Sequence, residues 1–160
     1  MKIEYFHHSV FGNGAAVAAE FARLMAARGV TVALRHMRDV KAKQPPPADL
    51  YVFSSPGRMG KPIRGARRFL RKVNLPAGTQ CAVLTTEAAP QPDRRTGRVP
   101  TPEELAKWQR VRPIINEILR SKGLVKLAEG CVQVTGLKGP LEEDWERKVA
   151  EFAAALPVPP

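Results

Sequence analysis

The sequence predicts an α/β fold, a three-layer α-β-α sandwich around a five-stranded parallel sheet. Three observations carry this reading. Short β-branched or apolar runs alternate with longer segments of helical periodicity along the whole chain. Leu50-Tyr-Val-Phe-Ser54 is apolar without a break, the mark of a strand covered on both faces. Strands joined by helices in this order leave few arrangements other than right-handed crossovers in one parallel sheet. At 160 residues the chain has room for a single domain, 1–160, whose core needs no disulfide or metal staple.

The elements follow in order. Lys2 to His7 is β-prone and ends in a turn containing Ser9, Gly12, Asn13 and Gly14. An Ala-rich helix follows, with Val17, Phe21, Leu24 and Met25 on one stripe and Arg28-Gly29 closing it. Val30 to Arg35 is the second strand. Met37 to Ala48 contains Pro45, Pro46 and Pro47, so it crosses over irregularly with at most a short turn. After the third strand, Pro62 suits the first turn of a helix that buries Ile63, Ala66, Phe69, Leu70 and Val73. Cys81 to Thr85 is the fourth strand. Thr101 and Glu104 form a capping box opening a helix with Leu105, Trp108, Ile115, Ile118 and Leu119 as its buried stripe, kinked at Pro113 and ended by Gly123. Val132 to Thr135 is the fifth strand, and Trp145, Val149, Phe152 and Leu156 line a last helix.

The formal net charge of +11 predicts attraction to anions but says nothing about the fold. No stretch is apolar enough to span a membrane, and the first residues lack the apolar core of a secretory signal. Cys81 and Cys131 read as buried reduced thiols in a cytoplasmic setting, with no neighbouring Cys or His to suggest zinc. Adjacent His7 and His8 alternate faces on a strand and make a poor metal pair.

In a sheet of this kind ligands sit beyond the carboxyl ends of the strands. Three loops lie there: Ser9–Gly14, Ser55–Lys61 and Thr86–Pro100. The first leaves a strand and opens a helix, so its glycines can turn backbone N–H groups and the positive helix end toward a phosphate. On spacing alone, a plain strand-to-helix turn that needs small residues reads equally well.

Tyr5-Phe-His-His-Ser9-Val-Phe-Gly12-Asn13-Gly14-Ala-Ala-Val17-Ala18 resembles the flavodoxin phosphate loop, in which a strand leads into Ser/Thr-x-x-Gly-Asn-Thr and then Val-Ala. Asp49-Leu-Tyr-Val-Phe-Ser-Ser-Pro56-Gly-Arg-Met-Gly60-Lys-Pro62, followed by Phe69-Leu70, is similar to the segment that flanks the flavin ring in that family. Val134-Thr-Gly136-Leu-Lys-Gly139-Pro140-Leu141 resembles the last strand and turn of short flavodoxin-like proteins. The resemblance covers nearly the whole chain and implies strand order 2-1-3-4-5, with FMN at the switch between strands one and three; flavodoxin is itself the standard example of that placement. It implies that Ser9, Val10, Phe11, Gly12, Asn13 and Gly14 wrap the phosphate. It further implies that Pro56, Gly57, Arg58, Met59 and Gly60 edge one side of the ring, and that Thr86, Glu87 and Ala88 begin the other. Phe11 and Gly14 stand where the family usually has threonines, and Glu87 to Pro100 holds no stacking aromatic.

A dinucleotide fingerprint fails at Val17, where a third glycine is needed. A receiver domain fails because Ser54, not Asp, ends the third strand. The reading is therefore non-covalent FMN binding in electron transfer or as a small flavin-dependent reductase, with no side chain required as acid, base or nucleophile and no metal. Arg64, Arg67, Arg68 and Arg71 lie on one helical face, and with Arg94, Arg95 and Arg98 they suggest a basic collar that would steer an acidic redox partner. The alternative is a flavin-free scaffold gripping an acidic protein or nucleic acid through those arginines; the lack of interleaved aromatics disfavours single-strand binding.

Overall fold

A computed structural model describes residues 1–158. Its main sheet has five parallel strands in the order β2-β1-β3-β6-β7. These are β1 (Lys2–His7), β2 (Thr31–His36), β3 (Leu50–Phe53), β6 (Gln80–Ala88) and β7 (Val125–Val134). With the two-residue strands β4 (Gly57–Arg58) and β5 (Lys61–Pro62) set aside, this is the expected order 2-1-3-4-5.

Alternation in the central strands decides which helix covers which face. Ile3, Tyr5, Val52 and Leu84 point to the side of α1 (Asn13–Ala26) and α5 (Trp145–Ala154), where Phe21 packs between Tyr5 and Phe152 at ring separations of 5.3 and 5.6 Å. Phe6, Tyr51, Phe53 and Val83 point to the opposite side, under Phe69 and Leu70 of α2 (Arg64–Lys72) and Ile115 and Leu119 of α4 (Val111–Ser121). Burying one such side chain contributes about 1.5–3 kcal/mol, so the two faces share the stabilising load.

Four expectations are corrected in detail. Pro62 lies in the β4–β5 hairpin rather than in the first turn of α2, which begins at Arg64. The single kinked helix after Thr101 is two helices, α3 (Pro102–Trp108) and α4, separated at Gln109 and Arg110. Pro113 occupies the third position of α4, where a backbone amide has no intrahelical acceptor and its loss costs nothing. Trp108 therefore ends a helix with no buried residues and is itself exposed. β7 is ten residues long instead of four; its first half lies half-exposed at the sheet edge and carries a register shift opposite Cys81 and Ala82. The crossover from β2 to β3 holds only a 3-10 turn, Met37–Asp39, as the proline run requires.

Candidate functional site

The carboxyl ends of β1, β3 and β6 meet the loops that the sequence singles out. Ser9 to Gly12 leave β1 and turn into α1. Gly12 makes the turn with φ 90°, a left-handed conformation that glycine adopts without strain, and its N–H donates to Ser9 Oγ at 3.1 Å. Ala16 N–H is the first helical amide to reach back, to Gly12 O at 3.0 Å. The amides of Val10, Phe11, Asn13, Gly14 and Ala15 donate to no acceptor among the described residues. Phe11 does not plug the turn: it is 54% exposed, with Lys138 Nζ 5.6 Å from its ring centroid. The loop after β7 braces the other side, where Asn13 Nδ2 donates to Lys138 O at 3.2 Å.

Three histidines form the wall behind this turn. His7 and His36 are paired across β1 and β2 with rings 5.3 Å apart, and the ring of His8 lies 4.6 Å from that of His36. The expected opposite-face arrangement of His7 and His8 does not separate them, because His8 follows the last residue of β1 and both rings reach His36. Partial burial and the charge of His36 push the His7 and His8 imidazoles below their ordinary range, so both favour the neutral form. Among the described residues no group of three or more His, Cys, Asp or Glu is placed to hold a metal ion.

The second loop is an antiparallel hairpin, Gly57 opposite Pro62 and Arg58 opposite Lys61. Its turn residues Met59 and Gly60 have φ 52° and 76°, the left-handed pair that two-residue hairpins require. Met59 is 82% exposed at the tip. Gly60 O accepts from Arg110 N–H at 2.6 Å, which clamps the hairpin against the α3–α4 junction beside Trp108. Pro56 bridges to Thr86, whose amide donates to Ser55 O at 3.2 Å. Arg58 and Met59 are thus presented outward, while Gly57 and Gly60 are packed inward against Val111 and Trp108.

Thr86, Glu87 and Ala88 are the last residues of β6, not the start of a loop. Glu87 is buried and held from below: Arg112 Nε donates to it at 2.8 Å, and the Thr85 hydroxyl donates to the same oxygen. Ala88 is exposed, and its carbonyl accepts from Gln109 Nε2 at 3.1 Å. Cys131 lies beside this cluster; burial and the Glu87 charge push its thiol up to about 12, and burial pushes Cys81 up to about 11. Both remain thiols at neutral pH, and neither is in a disulfide.

Arg64, Arg67, Arg68 and Arg71 run along α2, and none forms an ion pair within 4.0 Å among the described residues. Like charges three or four residues apart destabilise a helix by about 0.2–0.5 kcal/mol per pair. Arg98 is drawn away from any shared collar by Glu104, which accepts from it at 2.7 and 2.8 Å.

Two features of the site escaped sequence reasoning. Helical spacing puts Trp108 on a buried stripe, whereas the structure exposes it; Pro113 is the local signal for a new helix start after it. The approach of His36 to His8 and Ser9 comes from strand register, which no local pattern reveals.

No family model matches the sequence, and no curated protein matches it significantly. Solved structures do resemble it in fold. Flavodoxin 2 from Bacillus cereus superposes with TM-score 0.68 at 22% identity, over 97% of each chain. A flavodoxin from the domain Archaea gives 0.65 at 17% identity, over 96% of this chain and 97% of that one. Rubredoxin oxygen:oxidoreductase from Desulfovibrio gigas gives 0.60 at 16% identity, over 96% of this chain but only 35% of that longer one. The chain has the flavodoxin fold.

Proposed function

We propose that this flavodoxin-fold chain binds FMN non-covalently at the ends of β1, β3 and β6 and serves in electron transfer. The observation that carries the reading is the turn from Ser9 to Gly14, with five backbone amides and the Ser9 hydroxyl at the start of a fourteen-residue helix. Amides without acceptors at a positive helix end are what a phosphate dianion needs. The solved flavodoxins of the same fold support the choice of FMN over other phosphate esters.

The residues present fit such a group. Val10, Phe11, Asn13, Gly14 and Ala15 would donate main-chain N–H groups to the phosphate, while Lys138 above Phe11 adds positive charge nearby. Asn13 is committed to Lys138 O, so its side chain positions the loop rather than the ligand. Phe11 and Gly14 supply no hydroxyl; each hydrogen bond to a charged group absent here forgoes about 1.5–3 kcal/mol. The exposed Met59 and Trp108 offer soft and aromatic surface to cover a flat ring and exclude water from it. FMN, when bound, supplies reversible one- and two-electron chemistry; the chain contributes binding, orientation and local charge. Arg58, Lys61 and Arg110, all exposed around this rim, suit an acidic redox partner.

Titration of the apoprotein with FMN tests the proposal. A saturable 1:1 quench of flavin fluorescence is expected, weakened about tenfold by Ser9→Ala through loss of a donor and of the Gly12 brace. Flavin fluorescence that stays unquenched at all protein concentrations would overturn it.

A further inference from the structure

We propose that the outer face of α2 is a docking surface for the phosphodiester backbone of nucleic acid, separate from the FMN site. Five of the nine residues of this helix are Arg64, Arg67, Arg68, Arg71 and Lys72. Its apolar residues Ala66, Phe69 and Leu70 are all turned into the core, so the cations occupy the solvent side. Two adjoining open clefts share Lys72 as a common wall. One, of about 310 Å³, is walled by the four arginines; the other, of about 390 Å³, by Lys41 and Lys43 of the β2–β3 crossover. The crossover is fastened there by Asn74 N–H, which donates to Ala42 O at 2.8 Å, so the lysines extend the row past the end of the helix.

The arrangement works against the isolated protein. Arg64, Arg67, Arg68 and Arg71 repel one another at helical spacings of three and four, and Arg64 sits at the helix start, where the dipole disfavours a cation. At the other end Lys122 Nζ caps the helix by donating to the carbonyls of Arg71 and Val73, which is locally favourable but adds positive charge to the row. No carboxylate lies within 4.0 Å of any α2 cation among the described residues. The Nε of Arg67 is buried without a partner. A bound polyanion would relieve the repulsion among the four arginines and the unfavourable charge at the helix start.

The shape and chemistry of the row select the polyanion. α2 runs back from the ligand end of the sheet, where Gly65 abuts His8, toward the crossover, so the row leads away from the FMN rim. A protein partner needs an apolar centre to its interface. The large exposed apolar residues on the described chain, among them Val10, Phe11, Met59, Trp108 and Leu137, all lie off α2. The same lack of apolar surface argues against insertion into a lipid headgroup layer. Arginine forks along one helix face, with no aromatic to stack on bases, fit backbone contact without sequence readout.

The test is fluorescence anisotropy of the full chain with a labelled 20-base-pair DNA duplex of mixed sequence across a salt series. The logarithm of the affinity is expected to fall linearly with the logarithm of salt, with a slope of about −4.5 for about five engaged phosphates. Arg68→Glu with Arg71→Glu is expected to lower affinity at least about tenfold and flatten the slope by about 2. Arg94→Glu with Arg95→Glu makes the same change in net charge on an exposed loop outside α2 and its two clefts and is expected to change affinity less than about threefold. Far-UV circular dichroism and FMN titration of each variant keep misfolding and failure of the FMN site distinguishable from loss of this surface. Equal losses in both variants would reduce the effect to net charge and overturn the proposal. So would absence of duplex binding, or binding of polyglutamate or phosphatidylserine vesicles through Arg68 and Arg71 as tightly as the duplex.

Discussion

The Nε2 of His36 lies 3.3 Å from the carbonyl oxygen of Ser9, while its Nδ1 accepts from the Arg38 amide at 3.1 Å. A carbonyl only accepts, so it is Nε2 that carries a proton here and donates it to Ser9. The imidazole thereby fixes the first residue of the phosphate turn to the end of β2. His36→Ala removes that tether, a hydrogen bond contributing about 0.5–1.5 kcal/mol. FMN affinity is expected to fall about fivefold, with faster hydrogen exchange at Val10 to Gly12 and little change elsewhere. Unchanged affinity and exchange would mean that the turn holds its shape without His36.

The three rings also set a pH dependence. His7 and His8 titrate below their ordinary value in the folded chain, chiefly through burial and then through the charge of His36, with Arg38 acting in the same direction; Asp39 opposes the shift at His7. The unfolded chain then binds more protons between the folded value and about 6.5. Stability from these residues is complete above that point and is lost as pH falls through the folded values. Thermal melts of the apoprotein should show a midpoint that declines from pH 7.5 to pH 5. In His7→Gln with His8→Gln that decline should be smaller. An identical decline in the variant assigns the acid sensitivity elsewhere.

Gly60 bears the tightest backbone contact of the site. A Cβ built there would stand 2.2 Å from Trp108 O, and φ is 76°. Gly60→Ala must distort both the hairpin and the α3–α4 junction. A loss of at least about 2 kcal/mol in urea unfolding is expected. A loss below about 0.5 kcal/mol would show that the hairpin is not clamped as described.

The buried Glu87 carboxylate pairs with the half-exposed Arg112 beneath the end of β6, at 2.8 Å with side chains 5% and 38% exposed. Arg112→Ala leaves that carboxylate without its cation, beside the Thr85 hydroxyl, and should cost about 1–3 kcal/mol. Removing both charges with Glu87→Gln and Arg112→Met should cost less than the sum of the singles, with a coupling of about 1–3 kcal/mol. Strictly additive costs would deny the pairing.

How much of this was legible depended on the range of the forces involved. β1, its turn and α1 could be read locally, since Val17, Phe21 and Met25 keep helical spacing and Gly12 breaks it at the loop. The β4–β5 hairpin was not readable, because two-residue strands containing Gly57 and Pro62 leave no periodicity. The first half of β7 was missed for a different reason: on the edge strand, Lys126 and Glu129 are solvated and pair with each other, masking the alternation. The phosphate turn was found from its glycines, but Trp108 and His36 join the site through a helix break and a strand register fixed by the tertiary fold.

The ratio of affinities for FMN and riboflavin, measured on the same apoprotein at pH 7.5, isolates the phosphate contribution of the Ser9–Gly14 turn. FMN should bind at least about tenfold more tightly, since a single charge-assisted hydrogen bond already accounts for that factor. Equal affinities, with inorganic phosphate failing to compete, would contradict the assignment of those free amides to a phosphate.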